Sequence, residues 1–144
     1  MKEAVRQAGC VSMETARGPR AVLIEGAPGS GKSSLALALI DRGAGLLGDD
    51  GVTLRLDDGL LWAHAPPNIA GRIEIRNVGI AELPISHPAP VALCLRLDPA
   101  APRYLEEATK IDILGIEVPL VALWPDSPIL PLRAEWALRL HGRI

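Results

Sequence analysis

Gly26-Ala27-Pro28-Gly29-Ser30-Gly31-Lys32-Ser33 is preceded by the apolar run Ala21-Val22-Leu23-Ile24 and followed by Ser34-Leu35-Ala36-Leu37-Ala38-Leu39-Ile40. The order is strand, glycine-rich turn, helix, with the complete Walker A pattern G-x-x-x-x-G-K-S at the turn. Glycines let successive backbone N–H groups point inward at phosphate oxygens, and the helix N-terminus adds its partial positive charge. In such a loop Lys32 reaches the β- and γ-phosphates and the Ser33 hydroxyl ligates Mg²⁺. The competing explanation is a strand-to-helix turn that merely contains glycines. Every fixed position is filled and both flanking elements are present, so the phosphate loop is favoured. The expected ligand is a nucleoside triphosphate.

The chain has 144 residues, the size of about one domain. That is enough for a single core, but short for a kinase with a separate substrate-binding lobe. Apolar residues make up 49%, with no Phe and one Tyr, so the core must be built from Leu, Ile, Val and Ala. Net charge is −2 with both signs interspersed, which gives no nucleic-acid footprint and no polybasic membrane patch. No apolar run has the length of a membrane span, and the N-terminus lacks the apolar centre of a signal peptide. Cys10 and Cys94 have neither metal-knuckle nor disulfide-framework spacing. A cytoplasmic protein with two reduced thiols is expected.

Along the chain, residues 1–13 read as a lead-in with a first strand at Gly9–Met13, and Glu14–Arg20 as a turn set by Gly18-Pro19. A strand at Ala21–Glu25, the phosphate loop and a helix over Ser33–Arg42 follow, with Gly43 at the helix C′ position. Leu46-Leu47-Gly48 is a short strand ending in Asp49-Asp50. Val52–Leu56 and Leu60–His64 form a hairpin around Asp57-Asp58-Gly59. Arg72-Ile73-Glu74-Ile75-Arg76 alternates strictly as a strand, and 78–89 reads as loop. Val91–Leu97 is a strand stopped by Asp98-Pro99. Lys110–Leu114 and Glu117–Leu123 are strands around Gly115, the second placed at an edge or bulge by Pro119. A helix over Pro131–Leu140 closes at Gly142. After the phosphate-loop helix, strands and hairpins dominate, unlike an ordinary P-loop protein with its alternating strands and helices.

The phosphate loop, the helix ending Asp41-Arg42-Gly43, Leu47-Gly48-Asp49-Asp50 and Gly71-Arg72-Ile73-Glu74-Ile75-Arg76-Asn77-Val78-Gly79-Ile80, in that order, resemble the catalytic C-terminal domain of HPr kinase/phosphorylase. The resemblance covers roughly residues 5 to 124 and is closest to the short, single-domain alphaproteobacterial type, without a regulatory N-terminal domain. It implies an α/β P-loop fold of the HPr kinase/PEP carboxykinase-like class, a mixed β-rich sheet with one main helix, as a single domain over 1–144. The family uses ATP or pyrophosphate to phosphorylate a serine of the phosphocarrier protein HPr, and can reverse this with inorganic phosphate. By resemblance, Gly26, Ala27, Pro28, Gly29, Ser30, Gly31, Lys32, Ser33 and Ser34 bind the nucleotide. Lys32 contacts phosphate, Ser33 and Glu74 are associated with Mg²⁺, Asp50 accepts the proton beside Asp49, and Arg103 matches a catalytic arginine. Gln7 stands where the family has histidine, and Asn77 where it has glycine. Pro125-Asp126-Ser127-Pro128 replaces a glycine- and arginine-bearing turn. Full-length members are hexamers; a homo-oligomer of different assembly is expected here.

Each residue also has a plainer explanation. Asp49-Asp50 before glycine can be a polar turn, as Asp57-Asp58-Gly59 is taken to be. Two adjacent carboxylates on an extended chain face opposite ways, so one can meet the γ-phosphate while the other faces backbone or metal. Glu74 can be an outer-face residue paired with Arg72 and Arg76. Asp98 is a candidate conventional Walker B carboxylate, although Arg96 interrupts its strand and Pro99 follows at once. His64, His87 and His141 read as surface residues, and Trp62, Trp124 and Trp136 as packing. Three functions remain: an HPr serine kinase; a nucleotide-sensing module without turnover; and a small-molecule kinase, which would need Asp98 and an arginine-rich lid.

Overall fold

The structure is a computed structural model that describes residues 2–68 and 71–144. Its centre is β3 (Gly18–Gly26), whose run Ala21-Val22-Leu23-Ile24 is wholly buried. Side chains alternate along a strand, so a continuous apolar run means that both faces are covered. Val22 and Ile24 face one core with Leu35 and Leu39 of α1 (Lys32–Asp41). Ala21 and Leu23 face a second core with Leu54 and Leu61 of the hairpin β5 (Val52–Asp57) and β6 (Leu60–His64).

On one side β3 pairs antiparallel with β2 (Gly9–Thr15), which in turn pairs with β4 (Gly45–Gly48). On the other side it pairs parallel with β9 (Ala89–Leu97). β9 joins two layers. Its start, Ala89-Pro90, pairs with β6, and its end, Cys94–Leu97, pairs with β11 (Ile116–Leu123). The full path is a nine-stranded sheet with β1 (Lys2–Arg6) at one edge of the β5–β6 wing and β10 (Thr109–Ile113) beyond β11. Helix α2 (Leu130–His141) lies on the α1 side through Leu130, Ala134, Ala137 and Leu138. Pro119 pairs only with Lys110 on β10, because pairing to β9 starts at Leu120; its missing N–H therefore costs no ladder bond on the β9 side.

Three expectations change. Lys2–Arg6, read as lead-in, is a strand because its register against Leu56–Val52 closes the edge of the wing. The turn read over Glu14–Arg20 is much tighter: β2 runs to Thr15 and β3 starts at Gly18, so Pro19 lies inside a strand opposite Glu14. Within 78–89, Gly79–Glu82 forms β8, paired with β7 (Arg72–Ile75) as a separate two-stranded hairpin. Its turn needs a left-handed residue, and Asn77 supplies it at φ 70, asparagine being among the non-glycine residues that adopt this conformation most readily. The replacement of the family's glycine by Asn77 is thus structurally conservative. Trp124 and Trp136, read as core or interface packing, lie outside the core at 40% and 53% exposure, which leaves the interface alternative open, and the Trp124 indole N–H donates to the Ala101 carbonyl at 2.6 Å.

Helix α1 ends as the sequence implies. Gly43 takes φ 111, its N–H donates to Ile40 O, and the Ala44 N–H donates to Leu39 O, the paired bonds of a Schellman cap. No atom lies within 4 Å of a Cβ added at Gly43, so substitution there meets no clash, only an unfavourable backbone. Gly43→Ala is expected to cost about 1–2 kcal/mol. The check is the urea midpoint, which should fall at an unchanged slope.

Candidate active site

The loop between β3 and α1 presents an anion cradle at the C-terminal end of the central strand. Gly29 and Gly31 sit at φ 79 and 103, conformations open to glycine without strain, and the Ser30 N–H closes the turn on Ala27 O at 3.0 Å. Helix α1 starts at Lys32 with no side-chain cap and no acidic residue in its first turn. Its leading N–H groups are therefore left for an incoming anion, with the positive end of the helix dipole behind them. Ser30 Oγ is buried and has no hydrogen-bond partner among the described residues. Lys32 Nζ donates to Gly26 O at 2.9 Å and to Ala27 O at 3.4 Å, which folds the ammonium over the start of the loop. Ala27, Pro28, Gly29 and Ser34 are exposed on the rim.

Strand β4 lies next to β2, and its end brings Asp49 to the helix start. Ser33 Oγ donates to Asp49 Oδ1 at 2.6 Å, and the Glu74 N–H of β7 donates to Oδ2 at 3.1 Å. One carboxylate thus joins the phosphate-loop hydroxyl to the β7–β8 hairpin. The next residue, Asp50, is exposed at φ 63, its carboxylate outside this network. The adjacent pair divides, one carboxyl facing hydroxyl and backbone and the other open, but through a bend and not an extended chain: β4 ends at Gly48 and Asp50 is left-handed.

Glu74 reaches this cluster through its backbone. Its side chain is exposed and makes no ion pair among the described residues, while Arg72 pairs across the hairpin with Glu82 at 3.9 Å. Arg103 is elsewhere. It is exposed and lines a cavity of about 560 Å³ with Arg96, Asp98, Trp124, Arg133 and Trp136, to which no residue of 26–34 contributes. Asp98 accepts the Ala100 N–H at 2.8 Å, so it caps its own turn. Gln7 lies in the bend between β1 and β2, just before the pair Gly9–Ile24.

Sequence reasoning passed over one group at this end of the sheet. Glu25 bridges Arg6 at 2.6 Å and Arg96 at 3.2 Å, and its side chain is only 15% exposed. Burial pushes its carboxyl up, but the hydrogen bonds and charges of Arg6 and then Arg96 outweigh burial and hold it below the ordinary carboxylate range. A depressed folded-state pKa stabilises above the unfolded-state value, and that stabilisation is lost as pH falls through the folded-state value. Wild type is therefore expected to lose more stability than Glu25→Gln between pH 6 and the acid side of the carboxylate range. Denaturant midpoints measured across that window check it. The thiols of Cys10 and Cys94 flank Leu23 in one register row, two strands apart, and remain free. Burial raises both, Cys94 to about 12, so neither is a thiolate near neutrality.

A parallel strand pair carrying a glycine loop onto an uncapped helix, with a serine–aspartate pair at the helix start, defines a P-loop protein. Residues 18–87 match the family described as the HPr serine kinase C-terminal domain. The chain is similar to the solved HPr(Ser) kinase/phosphatase from Coxiella burnetii, with TM-score 0.80 and 30% identity over 94% of this chain and 88% of that one. It belongs to the HPr serine kinase C-terminal domain family. An HPr kinase/phosphorylase from Bordetella petrii is 44% identical over 63 residues, and one from Clostridium botulinum is 44% identical over 62. Each match covers 43% of this chain and 20% of the relative's length. Among the described residues no helix is long and apolar enough to cross a membrane.

Proposed function

We propose that this chain is an ATP- and Mg²⁺-dependent protein-serine kinase whose substrate is the phosphocarrier protein HPr. The observation that carries the proposal is the Ser33–Asp49 hydrogen bond at 2.6 Å, which ties the residue after Lys32 to the residue before the exposed Asp50. Phosphoryl transfer asks a protein mainly for positioning, charge neutralisation and a destination for the nucleophile's proton. These residues are arranged to serve all three.

Ser33 and Asp49 are hard oxygen donors, the type Mg²⁺ takes, and Mg²⁺ commonly uses one or two carboxylates while filling other positions with water and phosphate oxygens. The set fits that ion, with Glu74 available from the exposed face of β7. Bound there with ATP, Mg²⁺ would neutralise charge on the terminal phosphates. The loop amides and Lys32 hold the polyphosphate in line. The substrate serine oxygen forms its bond to the terminal phosphorus as the bond to ADP breaks, and Asp50 takes the hydroxyl proton. The same carboxyl can return that proton in phosphorolysis. There a phosphate oxygen attacks the phosphorus of phosphoserine, the bond to the serine oxygen breaks, that oxygen takes the proton, and pyrophosphate is the product.

The test is one reaction: purified chain, Mg²⁺, ATP labelled in the terminal phosphate, and HPr. Label is expected on HPr serine with wild type and none with Lys32→Ala. Nucleotide binding without labelled HPr would overturn the kinase assignment and leave a nucleotide-sensing module.

A further inference from the structure

The β7–β8 hairpin carries apolar side chains on its open face, next to the carboxylate that holds Ser33. A two-stranded sheet with one covered face is expected to alternate apolar in, polar out. β7 does so: Ile73 is fully buried, and Arg72 and Glu74 are exposed. β8 departs from that pattern. Ala81 packs against the α1 core, while Ile80, the larger side chain, is 70% exposed. Val78, in the turn before it, is 78% exposed. Threonine at either position would serve the fold without leaving apolar surface in water.

The register sets this surface beside the candidate site. Ile80 stands directly across from Glu74, and their side chains share the exposed face. The Glu74 N–H goes to Asp49 Oδ2 and not to β8, so Glu74 and Ile80 form a non-hydrogen-bonded pair, the kind whose side chains come closer. Asp49 in turn accepts from the Ser33 hydroxyl and precedes the exposed Asp50. From Ile80 to Asp50 is thus one cross-strand step, one hydrogen bond and one peptide unit, on the order of 10 Å. Charges rim the patch: Arg72 pairs with Glu82 at 3.9 Å, and Arg76 is exposed with no ion pair among the described residues. An apolar centre inside a charged rim is the anatomy of a protein–protein contact.

We propose that Ile80 and Val78 dock the protein substrate, by taking an apolar side chain within about four residues of its acceptor serine, the reach of an extended segment over that distance. Position argues for this occupant. A serine on a protein reaches the Asp50 carboxylate only with its flanking residues against whatever borders that carboxylate, and the hairpin is the element held to Asp49. The proposal rests on the kinase reading above and names residues that select its protein substrate.

The experiment is steady-state transfer from MgATP to HPr, with kcat and the KM for HPr measured separately, beside direct binding of MgATP. The double variant Val78→Thr, Ile80→Thr keeps branched side chains suited to a strand while removing apolar surface. Its KM for HPr is expected to rise about 10-fold or more, the effect of withdrawing one buried aliphatic side chain. Both kcat and MgATP affinity should stay within about twofold, the signature of lost substrate binding alone. Ile80→Leu, still apolar, should stay near the wild-type KM. HPr in which the apolar residues within about four positions of its serine are replaced by serine should raise KM with wild type. It should add little with the double variant, because residues in contact are not additive.

An unmoved KM in the double variant would overturn the proposal, and so would a rise that simply adds to that of altered HPr. A fall in MgATP affinity would do the same, because the hairpin would then be acting through Asp49. Weakened self-association with an unmoved KM would give the patch to a second copy of this chain instead. A wild type that binds MgATP but never labels HPr removes the kinase reading and this proposal with it, whereas labelling with an unmoved KM removes this one alone. Thermal melts accompany each variant; where the double variant fails to fold, Ile80→Thr against Ile80→Leu decides.

Discussion

Asp50→Asn is expected to lower phosphate transfer to HPr by about 10²–10⁴-fold, the usual worth of a positioned general base. MgATP affinity should stay within about threefold of wild type, the signature of an interaction made only in the transition state. Asparagine is the right replacement for a backbone reason. Asp50 adopts φ 63, and asparagine tolerates that left-handed conformation, whereas alanine would add strain and confuse chemistry with misplacement. The carboxylate is exposed, and the Ser33 and Glu74 hydrogen bonds belong to its neighbour, so the substitution leaves both in place. Single-turnover transfer with saturating MgATP, beside a direct binding measurement, is the check. Transfer at the wild-type rate would remove Asp50 as proton acceptor.

Asp49→Asn is expected to behave in the opposite way. Its two carboxylate oxygens accept from the Ser33 hydroxyl and the Glu74 amide, and asparagine keeps one acceptor oxygen. The lost charge removes the carboxylate that pairs with Ser33 in the set fitted to Mg²⁺. Affinity for ATP in the presence of Mg²⁺ should fall by at least about 10–100-fold, the range for disturbing the shell around a metal. The orphaned donor adds about 1 kcal/mol of lost stability. The specific readout is the change in ATP affinity on adding Mg²⁺: large in wild type, nearly absent in the variant. An unchanged response to Mg²⁺ would place the ion elsewhere. With Asp50→Asn, this makes a paired experiment on adjacent residues, one controlling binding and the other turnover.

The division between those neighbours was partly legible before any coordinates. Alternation on an extended chain was the reason to expect one aspartate to differ from the other, but the chain bends after Gly48 and the left-handed turn at Asp50 is what separates them. The strand–loop–helix order, the Gly43 cap and the Asp58-Gly59 hairpin turn, with φ 51 and 76, are local features, and local chemistry is written residue by residue. Strand β8 was less legible, because a four-residue strand with glycine at one end and proline beyond the other carries little periodicity. Its pairing depends on Ile73 being fully buried against the α1 side and on the Glu74 amide meeting Asp49.

Sequence alone determined the phosphate loop, the helix that follows it and the aliphatic character of the core, because each depends on residues close in the chain or on composition. It also carried the Glu25–Arg96 cluster in disguise: a charge ends one apolar run, and an opposite charge interrupts another. Only the tertiary structure decided that these runs lie side by side in parallel, with Arg6 arriving from a third strand. Parallel register between strands some 70 residues apart is set by how two cores and two layers pack around β3. That is a property of the whole chain, which no local pattern encodes.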